Sequence, residues 1–422
     1  MNTPPSPLRR LLLAAGPAFL FSGCGKKPAP APPAVSRAWL DAGTDSLTPG
    51  APPPDWSLLE PWQERLTAEQ FERLLRNVVS DGTMWFREVE LRSDTAPGTG
   101  GPWMELRFAK AGTPASAGPR YWRRLEELPP LRDPAHPLEG LHIALDPGHI
   151  GGVWAEMEQR YVKPGDAPPV KEGDITLRTA RILAPLLEAM GARVSFVRER
   201  LEPLTTVRPE QLMDAARASL DQEGAALSEE AIRKEAERLF YRTAEIRARG
   251  KLVNETLRPD LVVCMHYNGD GSGKTYSKAN HLHILAHGGI AAGESRYDDQ
   301  RLDGLLRLVE GIPDTEVPLC IAVARRMAES TGLPPFTYLH GARAVANQPY
   351  VWMRNLLANR VYRCPVVFLE PYVMNNPEVI ERIHAGDYEG TATVAGLDRR
   401  SIFRDYASGV AAGLRDYFSA RK

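Results

Sequence analysis

Leu141-His142-Ile143-Ala144-Leu145-Asp146-Pro147-Gly148-His149-Ile150-Gly151-Gly152 is the stretch from which the rest of the chain is read. Leu141, Ile143, Ala144 and Leu145 predict a short, mostly buried strand. Asp146-Pro147-Gly148 ends it, because proline has no ladder N–H and glycine tolerates open backbone angles. His149 is thereby delivered to the C-terminal end of a strand, where open α/β sheets carry their sites. A neutral imidazole at such a place is a good metal ligand; a plain loop residue is the alternative, and the rest of the chain decides between them.

Downstream, strand and helix patterns alternate. A helix is expected over 174–190, a strand over 193–197, and a long charged helical stretch over 215–254 with breaks near Gly224 and Gly250. Strands follow over 261–265, 281–286 and 365–369, with helices over 319–330 and 401–418. This order predicts an α/β domain over 138–422, with a mainly parallel sheet and helices on both faces. A small α+β module over 56–135 precedes it. Within the module, 66–79 has a capping Thr67 and helical apolar spacing, while 84–91 and 103–108 alternate like strands. No catalytic pattern marks it; binding, placement and plain packing all remain open as its role.

The 422 residues carry a formal net charge of -1, which implies no nucleic-acid partner. Hydrophobic content of 43% and charged content of 25% fit a folded globular chain. Cys264, Cys320 and Cys364 are too widely spaced for a disulfide framework or a Cys-type metal site and read as buried free thiols. At the N-terminus, Arg9-Arg10 precedes an apolar run over 11–21 that is too short to span a bilayer. Phe21-Ser22-Gly23-Cys24 then resembles a bacterial lipobox, which implies a signal peptide over 1–23 and a lipid on Cys24; a simple cleaved leader is the alternative. Either way an exported protein is expected. The Pro/Ala-rich segment 24–55 reads as an extended tether.

Four polar residues fall where strands end or helices begin: His149, Glu172, His266 and Glu370. Parallel strands aim their C-terminal ends at one rim, so His149, His266 and Glu370 can converge there. Two imidazoles and a carboxylate make a three-ligand zinc site with an open position, and a further carboxylate supplies a general base.

The same motifs resemble the zinc-dependent N-acetylmuramoyl-L-alanine amidases of bacterial cell walls. Asp146-Pro147-Gly148-His149 matches that family's first strand end, and Glu172-Gly173-Asp174-Ile175-Thr176-Leu177 its Glu-led helix. Cys264-Met265-His266-Tyr267-Asn268 matches the second histidine motif, although Cys264 stands where the family has serine. Glu370 with Asn376-Pro377-Glu378 matches the last, and Arg247, Arg249 and Asn254 form a weaker echo. Similarity spans roughly 140–420. It implies Zn2+ held by His149, Glu172 and His266, with Glu370 as the base that activates water and then protonates the leaving amine. It also implies peptidoglycan as substrate and a place in the cell envelope, on the periplasmic side, lipid-anchored to a membrane, with the outer membrane expected. A zinc peptidase acting within the stem peptide and a non-catalytic peptidoglycan-binding lipoprotein are the alternatives.

Other residues compete for these roles. Glu156 and Glu158 lie in the same loop as Glu172, though no helix pattern follows them. Glu370 has a bland reading as an ion-pair partner of Arg354 or Arg363. His281, His283 and His287 make a second metal candidate. Arg343, Asn347, Arg354 and Asn268 are candidates for binding the acidic stem peptide. Surplus sequence over 288–317 contains an amphipathic helix pattern over 297–310. It reads as a lid or a docking element for an activator protein, or as an autoinhibitory cover whose Glu294, Asp298 or Asp299 reaches the metal.

Overall fold

The computed structural model describes residues 37–41, 46–78, 89–92, 103–114, 118–290 and 296–421. The expected leader, Cys24 and the first part of the expected tether lie outside them. The tether expected over 24–55 is corrected from Arg37 onward. Arg37–Asp41 (β1) is the middle strand of an antiparallel sheet with Val89–Arg92 (β2) and Trp103–Arg107 (β3). The cause is its alternation: Ala38 and Leu40 are fully buried on one face. The helix Ala68–Val78 (α1) is capped as expected, Gln70 N–H donating to Thr67 Oγ1 and Thr67 N–H to Gln70 Oε1. Val35–Lys422 forms one compact unit. Leu40, Phe71 and Leu74 share one apolar core with Leu145 and Met265.

The central sheet is built from β4 (His142–Pro147), β7 (Arg193–Phe196), β8 (Leu261–Met265), β9 (Leu282–His287), β10 (Arg343–Ala344), β11 (Val351–Arg354) and β12 (Val366–Pro371). A two-stranded ribbon, β5 (Tyr161–Val162) with β6 (Val170–Lys171), stands apart from it. The order across the large sheet is β10-β11-β9-β12-β8-β4-β7. β7, β4, β8 and β12 are parallel neighbours, so their C-terminal ends share one rim. β9 runs against β12, and Glu370 pairs with His283. Its direction follows from its connection: the loop 266–281 contains no helix to carry the chain across for a parallel return.

Helices cover both faces. In chain order they are α2 (Trp154–Met157), α3 (Glu172–Glu188), α4 (Met213–Gln222), α5 (Glu229–Leu239) and α6 (Glu245–Lys251), followed by α7 (Asp298–Val309), α8 (Ile312–Thr331), α9 (Leu357–Arg360), α10 (Pro377–His384) and α11 (Ile402–Phe418). Ile143, Leu145, Val263 and Leu369 share a core with α3, α8 and α11. Ala144, Val262, Cys264 and Phe368 face the other way, against Trp122, Val253, Val361 and Tyr362. That alternation is the pleat of a sheet buried on both sides.

Two helical expectations are corrected. Gly250 does not break the chain, which stays helical through α6 and a wider π-type turn, Leu252–Leu257. Gly250 is needed for closeness, since a Cβ there would stand 3.0 Å from Val361. The segment over 297–310 is no surface lid or docking helix: α7 is buried along almost its whole length. Several of its charges are paired inside, Arg301 with Asp298, and Arg307 with Glu316 while donating to the Tyr362 and Cys364 carbonyls. No helix among the described residues is long and apolar enough to cross a membrane.

α11 approaches α8 through Gly413, where a Cβ would meet Val323 Cα at 2.4 Å. Gly413→Ala should therefore cost about 1–3 kcal/mol by overpacking, read as a lower Tm in thermal unfolding. An unchanged Tm would show that the two helices re-space freely.

Candidate metal centre

His149 is held in a strained conformation, with a left-handed φ of 60° that non-glycine residues adopt only when their surroundings enforce it. Buried Arg249, on α6, supplies that enforcement. Its Nη2 donates to the His149 carbonyl at 2.7 Å, and its Nη1 to the Pro147 carbonyl at 3.0 Å and Asp146 Oδ1 at 2.9 Å. Glu245 accepts from its Nε at 2.8 Å. Tyr362 O–H donates to the second Asp146 oxygen at 2.5 Å. Gly148 is required for space, because a Cβ there would fall within 2.6 Å of three atoms of the His266 ring.

Glu172 arrives differently. The ribbon of β5 and β6 folds the long loop after His149 back on itself, so Glu172 opens α3 beside that histidine. Its backbone N–H donates to the Arg160 carbonyl at 3.0 Å. A Cβ on Gly173 would stand 2.4 Å from the Ile150 carbonyl, which fixes how closely helix and loop meet. β8 delivers His266, whose ring stacks on Phe368 of β12 at 4.4 Å between centroids.

These three side chains meet. Glu172 Oε2 lies 3.3 Å from His149 Nε2, and Oε1 lies 3.1 Å from His266 Nδ1. The two imidazoles stand edge-on at 88°. One ligating atom from each residue lies within 4.8 Å of the others, the only group of three or more such residues among those described. Two imidazoles and one carboxylate converging with a side left open fit zinc. His149 Nδ1 is 2.5 Å from Glu158 Oε1, while Glu158 Oε2 accepts the Ile150 N–H at 2.7 Å. A carboxylate on the far nitrogen fixes the ring's orientation and directs Nε2 to a metal.

Burial pushes the Glu172 carboxyl up, but the charge of His149 and the hydrogen bond and charge of His266 outweigh it and hold it at about 2. Burial first, and then the Glu172 carboxylate, raise Glu370 to about 8. Two carboxyls in one cleft are thus pushed in opposite directions. The cleft has a volume of about 510 Å³ and is lined by His149, Glu172, His266 and Glu370 together with Asn268 and Arg354.

Other expected residues lie elsewhere or play different parts. Glu158 touches the opposite nitrogen of His149 from the one facing Glu172, and Glu156 is exposed near Lys171. Arg343 sits on the edge strand β10, donating to Met353 sulfur and the Arg76 carbonyl, and Asn347 occupies a left-handed turn position; neither lines the cleft. Arg363 pairs with Glu310 rather than Glu370. His281 and His283 pack on Phe336, His283 with its Nε2 2.9 Å from the Tyr338 hydroxyl, and no third ligand joins them among the described residues. The expectation that Asp298 or Asp299 reaches the metal is corrected: Asp298 pairs with Arg301, and Asp299 pairs with Arg247 and accepts from Thr48 N–H. Glu294 lies outside the described residues. Cys264, Cys320 and Cys364 are buried free thiols. Sequence reasoning missed Glu158 as a support and Arg160 as a cleft residue; both depend on how the loop folds back, which no local pattern encodes.

Fold and site together define an α/β protein with a candidate His–Glu–His metal centre at the strand ends. No protein-family model and no curated protein matches the sequence. Among solved structures, the chain is similar to the N-acetylmuramyl-L-alanine amidase Ami1 from Mycobacterium smegmatis, at 18% identity and a TM-score of 0.38, covering 67% of this chain and 99% of that one. It is also similar to the CwlD amidase from Clostridioides difficile, solved in complex with the GerS lipoprotein, at 13% identity, a TM-score of 0.37 and coverage of 66% and 99%. The amidase AmiC2 of Nostoc punctiforme is similar at 13% identity, a TM-score of 0.32 and coverage of 66% and 98%.

Because Glu158 supports His149 without reaching the metal position, Glu158→Gln should keep the ligand set but weaken zinc binding by about 10–100-fold in chelator competition. Unchanged zinc affinity would remove Glu158 from that role.

Proposed function

We propose that this chain is a zinc-dependent amidase that hydrolyses the bond between N-acetylmuramic acid and L-alanine in peptidoglycan. The observation that carries the reading is a fourth polar group, Glu370, in the same cleft as the His149–Glu172–His266 set. When bound, zinc supplies a Lewis acid that acidifies water and polarises a carbonyl. Glu370 takes the proton from the attacking water and returns it to the amine nitrogen as the C–N bond breaks. A carboxyl that burial pushes up suits the return of the proton.

The surroundings serve the same chemistry. Asn268 donates from Nδ2 to the Glu370 carbonyl at 2.7 Å and so fixes the strand end that carries the base. Arg249 and Glu158 hold the His149 turn, leaving its Nε2 toward Glu172. The motifs around His149, Glu172, His266 and Glu370 support the choice of a muramyl amide over other amides, since they occur in the order of that amidase family. On this reading the leader exports the chain, and lipid on Cys24 holds it at the periplasmic face of a membrane, within reach of the wall.

Glu370→Gln should retain zinc and fold while losing about 10²–10⁴-fold of its rate on purified sacculi. Mass analysis of the wild-type digest should show intact stem peptides beginning with L-alanine, freed from glycan. Near wild-type turnover in the variant would remove Glu370 from the mechanism, and shortened stem peptides would make the protein a peptidase instead.

A further inference from the structure

Two arginines of the cleft are not used by its own carboxylates. Four arginines line it: Arg160, Arg242, Arg249 and Arg354. Arg249 is committed to Asp146 and Glu245, and Arg242 is exposed. Arg160 and Arg354 are half-buried, and neither is ion-paired with a carboxylate among the described residues. Arg160 Nε is buried without a hydrogen-bond partner. Arg354 lies over the Tyr338 ring at 5.5 Å, with Nη1 3.5 Å from its hydroxyl. Of the lining carboxylates, Asp146 and Glu245 are taken by Arg249, Glu158 is taken by His149, and Glu172 lies between the imidazoles.

The guanidinium groups of Arg160 and Arg354, which have no ion pair among the described residues, also flank the strand that carries Glu370. Arg354 ends β11, two strands from β12 on one side of the sheet order, and Arg160 precedes the ribbon that follows β4 on the other side. Both line the cleft that Glu172 and Glu370 share. A metal adds further positive charge. Guanidinium groups without an ion pair offer a carboxylate of a bound peptide a bidentate fork.

We propose that Arg160 and Arg354 form a carboxylate clamp for the peptide half of the substrate, selecting stem peptides whose residue after L-alanine keeps a free carboxylate over those in which it is amidated. This rests on the amidase reading for the identity of the peptide. The clamp itself acts through binding, so it is measured apart from hydrolysis.

The test uses zinc-loaded full-length protein carrying Glu370→Gln, titrated calorimetrically with N-acetylmuramyl-L-alanyl-D-isoglutamate and with its isoglutamine counterpart. The acid form should bind at least about tenfold more tightly, the size expected of hydrogen bonds to a charged group. Adding Arg160→Gln or Arg354→Gln should remove most of that preference, and Arg160→Lys should restore part of it, with zinc content unchanged. Equal affinities for the two ligands, or binding of neither, overturn the clamp, as does a preference that survives both glutamine substitutions. If the acid is preferred but the unsubstituted enzyme releases no L-alanyl peptide from either compound, the clamp stands and the amidase reading fails.

Discussion

A buried guanidinium holds the site together. Arg249 ties the Asp146 carboxylate, the Pro147 carbonyl and the His149 carbonyl into one network, and so keeps His149 in its left-handed turn. A buried ion pair is poor evidence for net stability, because desolvating both charges offsets their attraction. Here its role is positional. Without a donor on the His149 carbonyl, a non-glycine residue in that conformation has reason to relax, and relaxation would swing the imidazole away from Glu172 and His266. The same network reaches β8 through the Cys264 thiol, which lies 3.5 Å from Asp146 and 3.6 Å from His266 Nε2. Burial pushes that thiol well up, so it stays neutral there.

Sheet topology does the rest. Parallel β4, β8 and β12 end at one rim, which brings together His149, His266 and Glu370, three residues far apart in the sequence. β9 comes back the other way and sets His283 opposite Glu370. Burial holds His283 down at about 3, with His281 and Arg354 adding to the effect, so its imidazole stays neutral there. Glu172 alone is delivered by a helix start, and its position depends on the short ribbon that returns the loop.

Much of this was legible in the chain, and the exceptions share a cause. Strands such as Leu261–Met265 are buried on both faces and therefore read as unbroken apolar runs. Glu172 was legible over Glu156 and Glu158 because a helical pattern follows it. Arg343 and Asn347 misled because closeness in sequence to β12 says nothing about lateral place in the sheet: β10 lies at the far edge. Five residues of strand at Arg37–Asp41 were hidden by the Pro/Ala-rich composition around them. The buried polar side of α7 was illegible because its partners, Glu316 and the Tyr362 carbonyl, lie on other elements. Glu158 and Arg160 likewise take their meaning from a loop closure that appears only in three dimensions.

One metal among three side chains is what the proposed chemistry requires. Anomalous diffraction from zinc-loaded crystals, recorded on either side of the zinc edge, locates that metal directly. If these side chains hold zinc, one strong peak per chain lies about 2.0–2.2 Å from His149 Nε2, a Glu172 oxygen and a His266 ring nitrogen, with Glu370 outside the coordination shell. No peak at that position, or a peak held by Glu370, Cys264 or Glu158 in place of one of the three, would contradict that chemistry.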